Sequence, residues 1–270
     1  MKVLSIVNLK GGVGKTATTC NLAYLLASKG FRTLVIDLDG QANGSRQLGV
    51  PMTYTGRTVK DVYIGQNGVK LPISEVLFDS PYENLKLAPS SFDFVGAEIL
   101  LKNEPQISAE YRITNSLEDV KDDFDFVLLD CPPALGDFVL NAMVASDLII
   151  APINGDDGSL EGLSRAYGMR QQIEKMLRIS LDFKTLFTMW DHTKNSKECL
   201  EELRETLPAN EIFDTLIRRG TAVPSSKGAP VCDTNPRSKP AEDYKSLVEE
   251  VLAHVQVQSP IHDQAATGGK

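Results

Sequence analysis

The feature that most constrains this chain is a set of short apolar runs that are continuous instead of alternating. Val3-Leu4-Ser5-Ile6-Val7, Thr33-Leu34-Val35-Ile36-Asp37 and Phe124-Asp125-Phe126-Val127-Leu128-Leu129-Asp130 are three of them. Leu148-Ile149-Ile150-Ala151-Pro152-Ile153 and Thr185-Leu186-Phe187-Thr188-Met189-Trp190 follow. A strand with one wet face alternates in polarity, so continuous runs of this length predict strands covered on both faces. Helical patterns lie between them, at residues 15–29, 160–177, 196–206 and 241–255. In the last, Tyr244, Leu247, Val248, Val251 and Leu252 recur at helical spacing, and Gly30 stands at a C-cap position after the first. Strands alternating with helices predict βαβ units. The expected fold is one α/β domain over residues 1–255, with a doubly wound, mostly parallel sheet and helices on both faces. Residues 44–105 are less regular and read as a switch loop, short helices and one further strand, Leu85-Lys86-Leu87-Ala88-Pro89. The tail 256–270 has few apolar residues and reads as disordered.

Composition narrows the function classes. The 270 residues are 42% hydrophobic and 24% charged, which is enough for one substantial core. No run approaches the roughly 18 uninterrupted apolar residues of a membrane helix. Met1 to Val7 looks like the start of a signal peptide, but Asn8, Lys10 and a glycine loop break it, so it reads as a buried strand. Cys20, Cys131, Cys199 and Cys232 lack the close spacing of a zinc or redox site, and a reducing cytoplasm is the natural setting. A net charge of −8 argues against a generally basic nucleic-acid binder. Any DNA contact has to come from a local patch.

Chemistry concentrates in Lys10-Gly11-Gly12-Val13-Gly14-Lys15-Thr16, directly after the first strand and opening the first helix. Glycines let a backbone wrap a phosphate with its N–H groups inward, and the helix N-terminus adds favourable partial charge. In such a loop Lys15 pairs with β- and γ-phosphate oxygens, and the Thr16 hydroxyl ligates Mg²⁺. The first glycine of the usual G-x-x-x-x-G-K-[ST] loop is missing, its place taken by Asn8 or Leu9. Lys10 is not needed by the loop's own nucleotide, and its plain reading is a solvated loop lysine. Two aspartates end strands, where α/β sheets place ligand chemistry: Asp130 after the third run, and Asp37 with Asp39 after the second.

K-G-G-V-G-K-T is similar to the deviant Walker A signature of the ParA/MinD family of ATPases. That resemblance implies an ATP-dependent homodimer using ATP and Mg²⁺, in which Lys10 reaches the partner's phosphates. It implies nucleotide contacts from Lys10, Gly11, Gly12, Val13, Gly14, Lys15, Thr16, Ala17 and Asp130. Catalysis falls to Lys10, Lys15 and Asp39, and metal binding to Thr16, Asp39 and Asp130. Asp130 resembles the family's Walker B aspartate, although Cys131 stands where Thr or Ser is usual. Asp37-Leu38-Asp39-Gly40-Gln41-Ala42-Asn43 resembles Asp-x-Asp-Pro-Gln-Gly-Asn, whose second aspartate positions the attacking water. Gly40 for proline implies a more mobile loop there, and Ala42 for glycine a stiffer one. Ser159-Leu160-Glu161-Gly162-Leu163 resembles a family helix start. Phe213-Asp214-Thr215-Leu216-Ile217 resembles a strand that usually ends Ile-Pro, with Arg218 in the proline's place.

Between residues 218 and 239, Arg218, Arg219, Lys227, Arg237 and Lys239 face one acid, Asp233. Cations aimed at phosphates bind DNA without sequence preference, and a dimer would double the patch. With the phosphate loop starting at Lys10, no helix-turn-helix is expected before it. The resemblance therefore implies a partition or positioning switch on nucleoid double-stranded DNA, with weak ATPase activity stimulated by a ParB-class partner. A MinD-like membrane switch needs a basic amphipathic C-terminal helix, which residues 255–270 lack. A metabolic or redox enzyme on the same scaffold is the remaining alternative.

Overall fold

The computed structural model describes residues 1–65, 69–96, 109–220 and 228–256. Seven strands form one sheet: β1 Lys2–Ile6, β2 Thr33–Asp37, β3 Phe78–Asp79, β4 Leu85–Ala88, β5 Phe126–Asp130, β6 Leu148–Ile153 and β7 Phe183–Phe187. Their spatial order is β3-β4-β2-β5-β1-β6-β7, and every pairing is parallel except β3 with β4 at one edge. The helices that flank the sheet and its loops include α1 Lys15–Ser28, α2 Asn43–Gln47, α3 Asp137–Ala145, α4 Asp157–Leu177, α5 Lys194–Thr206 and α6 Lys239–His254.

Both faces of the sheet are covered, as continuous apolar strands require. Val3, Leu34, Ile36, Val127, Leu129, Ile149 and Ala151 point to one side. There they meet Val139 and Met143 of α3, Leu163 and Ala166 of α4, and Leu200 and Leu203 of α5. Leu4, Ile6, Val35, Phe126, Leu128 and Ile150 point to the other, against Leu22 and Leu26 of α1 and Leu247, Val251 and Leu252 of α6. The expected doubly wound α/β sheet is what forms.

Two expectations need correction. Residues 213–217 are not a regular strand. Only Thr185 with Ile212 and Trp190 with Arg218 form bridges there, because the Glu250 carboxylate takes the N–H groups of Asp214 and Thr215 at 2.9 and 3.1 Å. The run assigned to 185–190 lies earlier, over Phe183–Phe187, with Lys184 buried inside it. Lys184 is accommodated by the Phe213 ring, whose centroid is 4.7 Å from its Nζ, and by Glu250 at 3.7 Å. The tail beyond Gln256 lies outside the described residues.

Candidate functional site

The loop between β1 and α1 sits near the middle of the sheet, at the carboxyl ends of the strands. Gly12 and Gly14 adopt φ of +79° and +88°, a left-handed conformation that disfavours any side chain. Val13, fully buried between them, pins the loop, and its carbonyl accepts from Thr188 Oγ1 at 2.8 Å. Gly14 caps α1, so the first turn of that helix opens onto the loop.

The two lysines occupy different surroundings. Lys15 is 6% exposed and its Nζ donates to the Lys10 carbonyl at 2.8 Å. Burial lowers its pKa, while the nearby Asp130 and Asp39 charges pull the other way. Lys10 is half-buried, with its side chain along the start of α4. Its Nζ lies 3.8 Å from Asp156 Oδ2, and a Cβ on Gly158 at the start of α4 would come within 3.2 Å of that Nζ. Asn8, in the region of the missing first glycine, braces the turn: its Oδ1 accepts from Lys10 N at 2.9 Å and its Nδ2 donates to the Pro152 carbonyl at 2.8 Å.

At the strand ends, Asp37 and Asp130 are register partners on β2 and β5, and both are fully buried. Loss of water raises both pKa values; the Asp37 charge adds to the effect at Asp130, and bonds from Ser45 oppose it at Asp37. Asp37 Oδ2 accepts from Ser45 N and Oγ, each at 2.7 Å, and Asp130 Oδ1 accepts from Thr19 Oγ1 at 3.1 Å. Asp130 Oδ2 is buried with no hydrogen-bond partner. The nearby Thr16 and Thr19 hydroxyls oppose burial and lower the Asp130 pKa. Asp39, assigned the metal and catalytic roles from sequence, lies beyond the end of β2 on the half-buried rim, where its Oδ1 accepts from Gln41 N at 2.9 Å. The carboxylate that adjoins Asp130 is Asp37.

The departures in this region have local causes. Gly40 is buried, and a Cβ there would sit 2.9 Å from Val95 N, so close packing and not mobility accounts for the glycine. Ala42 takes φ +51° and caps α2, the left-handed position a glycine usually fills. Cys131 is buried, with its thiol toward the Leu129 carbonyl at 3.8 Å.

A cavity of about 250 Å³ adjoins the loop, lined among others by Gly12, Ala17, Met189, Ile217, Arg219 and Tyr244. Arg218 also lines it, and its guanidinium grips Asp243, with Nη2 to Oδ1 at 2.6 Å. Arg219 pairs with Asp191 at 3.3 Å. Arg237 and Lys239 are exposed at the start of α6, and Lys227 lies outside the described residues. The basic residues proposed for DNA are thus split between a cavity wall and an open surface. Asn154, Asp156 and Thr188 also belong to the site. Only tertiary folding brings them to the loop, and no local motif marks them.

A family model described as an AAA domain matches residues 1–183. The chain is 35% identical over 257 residues to the sporulation initiation inhibitor protein Soj of Bacillus subtilis, covering 94% of this chain and 99% of that one. It is 32% identical to the chromosome partitioning protein ParA of Myxococcus xanthus, covering 96% and 90%. Among solved structures, it resembles cobyrinic acid a,c-diamide synthase from Mycobacterium smegmatis with bound ATP analog and magnesium, at TM-score 0.80 and 26% identity over 95% and 96% of the two chains. With these relatives and this strand–loop–helix geometry, the chain belongs to the ParA/MinD family of P-loop ATPases.

Proposed function

We propose that this partition-type ATPase is a switch: ATP closes two copies face to face, the pair holds DNA without sequence preference, and an activating partner triggers hydrolysis and release. The observation that carries the reading is the division of labour between Lys15 and Lys10. Lys15 is buried inside its own loop, whereas the half-buried Lys10 side chain lies along the start of α4, with a long contact to the exposed Asp156. A cation so placed is able to serve a second nucleotide across an interface, which would make turnover depend on pairing.

The site suits a nucleotide with Mg²⁺. Among the described residues no group of three or more His, Cys, Asp or Glu is gathered as a metal cage. Mg²⁺ takes one or two protein oxygens and completes its shell with phosphates and water. Asp130, with its unpartnered Oδ2, and the Thr16 hydroxyl are the donors that would hold it, with Asp37 alongside. Bound there, the ion would neutralise charge on the phosphate oxygens. The protein's own part is to cradle phosphate with loop N–H groups, neutralise it with Lys15, and exclude water with the buried Val13. Asp39, half-buried on the rim just past β2, would orient an attacking water.

Near full-length similarity to Soj and ParA favours partition over the biosynthetic chemistry of the synthase that shares the fold. Among the described residues no helix is long and apolar enough to cross a membrane. The test is retention of the protein on plasmid-length duplex DNA with ATP and with ADP. ATP-dependent retention that disappears above about 0.2 M salt is expected. Equal retention with either nucleotide would refute the switch.

A further inference from the structure

The segment 217–220 is one wall of the cavity beside the phosphate loop, and its most firmly held residue is Arg218. The Arg218 N–H donates to Asp243 Oδ2 at 2.8 Å, and its Nε donates to both carboxylate oxygens at 3.0 and 2.9 Å. The Asp243 side chain is 12% exposed, well shielded for a carboxylate on a surface helix. Paired, two-pronged Arg–carboxylate contacts of this kind fix geometry as well as charge. The next residue along α6, Tyr244, lines the same cavity, with its hydroxyl 3.4 Å from Thr18 Oγ1 on α1. Two consecutive residues of α6 therefore bear on one cavity, Asp243 through Arg218 and Tyr244 directly. On its far side the 217–220 wall is tied to β7's exit, Trp190 N to Ile217 O at 2.9 Å and Arg219 N to Trp190 O at 2.7 Å.

We propose that Asp243, acting through Arg218, positions the wall that receives the nucleoside end of the bound nucleotide. The inference rests on the nucleotide reading of the loop. The cavity of about 250 Å³ is smaller than the roughly 300–1,000 Å³ of pockets that take whole ligands. It touches the loop at Gly12, Gly14 and Ala17, so it fits one end of a molecule whose other end occupies the loop. A wall already fixed in place spares the ligand the cost of ordering it. Without Asp243 the wall loses four hydrogen bonds at once, its backbone one included. Arg218 is then a positioning residue of the nucleotide pocket, not a free cation for DNA phosphate.

The experiment compares affinities for Mg–ATP and for Mg–tripolyphosphate, measured by calorimetry on wild type, Asp243→Ala, Asp243→Asn and Arg218→Ala. Tripolyphosphate occupies the loop and has no nucleoside, so it reports the loop alone. ATP should bind about tenfold more weakly to Asp243→Ala and Arg218→Ala, with tripolyphosphate unchanged. Asp243→Asn, which can still accept the Arg218 N–H, should lose less. It also supplies the comparison if the alanine variant does not fold. Unchanged ATP affinity overturns the proposal, as does an equal loss for both ligands, which would mean general loosening. Wild-type protein that binds neither ligand would overturn the nucleotide reading, and this inference with it.

Discussion

Asp37 and Asp130 lie side by side at the ends of β2 and β5, fully buried and with raised pKa values. The native state without metal therefore keeps protons that the unfolded chain releases near pH 4. Stability falls wherever the native state binds more protons than the unfolded one. Metal-free protein should accordingly lose stability from about pH 4 upward through the raised native range. Asp130→Asn should flatten that decline and raise the metal-free melting temperature at pH 8 by a few degrees, about 2–4 °C for each ~1 kcal/mol in a chain of this size. Binding of Mg²⁺ with ATP near pH 7 should expel protons, read as a heat that changes with the buffer's ionisation enthalpy. A melting curve independent of pH from 5 to 8 would count against the pair being strained.

Gly44 explains how these carboxylates pack. A Cβ at that position would sit 2.9 Å from Asp130 Oδ2 and 3.2 Å from Asp37 Oδ2, closer than ordinary contact. Gly44→Ala must push the carboxylates from their positions. Nucleotide affinity measured with Mg²⁺ should drop about tenfold, while affinity in the presence of EDTA stays level. The same Mg²⁺ enhancement in variant and wild type would show that Gly44 is indifferent to the site.

How much of this is legible before folding depends on how local each signal is. Four of the apolar runs predict their strands to within two residues, because burial on both faces leaves polarity no role. The run at 185–190 slides because Lys184 reads as a break, although a ring and Glu250 bury it. Residues 213–217 look like a strand until Glu250, thirty-odd positions on, captures their N–H groups. The glycine loop is legible since its chemistry is contiguous. Asp39 is singled out by its resemblance to a family motif, which is silent on the burial that separates it from Asp37. The strand's end at Asp37 makes one a core neighbour of Asp130 and the other a rim residue. Asp156 and Thr188 carry no motif at all.

The two loop lysines should separate cleanly by variant. Lys15→Gln removes the buried cation that the loop aims at phosphate, and ATP affinity should fall roughly hundredfold. Lys10→Ala removes a side chain that reaches Asp156 and the start of α4, so monomer affinity for ATP should stay within about threefold of wild type. Self-association with ATP and turnover should nonetheless vanish in Lys10→Ala. Light scattering and phosphate release measure the two. If both persist, Lys10 has no part in a paired site.

The cations available to DNA are those that carboxylates do not already hold. Arg218 is bound to Asp243 and Arg219 to Asp191, whereas Arg237 and Lys239 are exposed at the start of α6 and in no ion pair among the described residues. Charge reversal at the latter two should weaken ATP-dependent DNA retention and leave basal ATPase activity intact. The slope of log affinity against log salt should shrink by about one for each phosphate that is no longer neutralised. Such binding is electrostatic and blind to base identity, so the weakening should be the same on AT-rich and GC-rich duplexes. An unchanged salt slope in Arg237→Glu with Lys239→Glu would move the DNA surface elsewhere on the molecule.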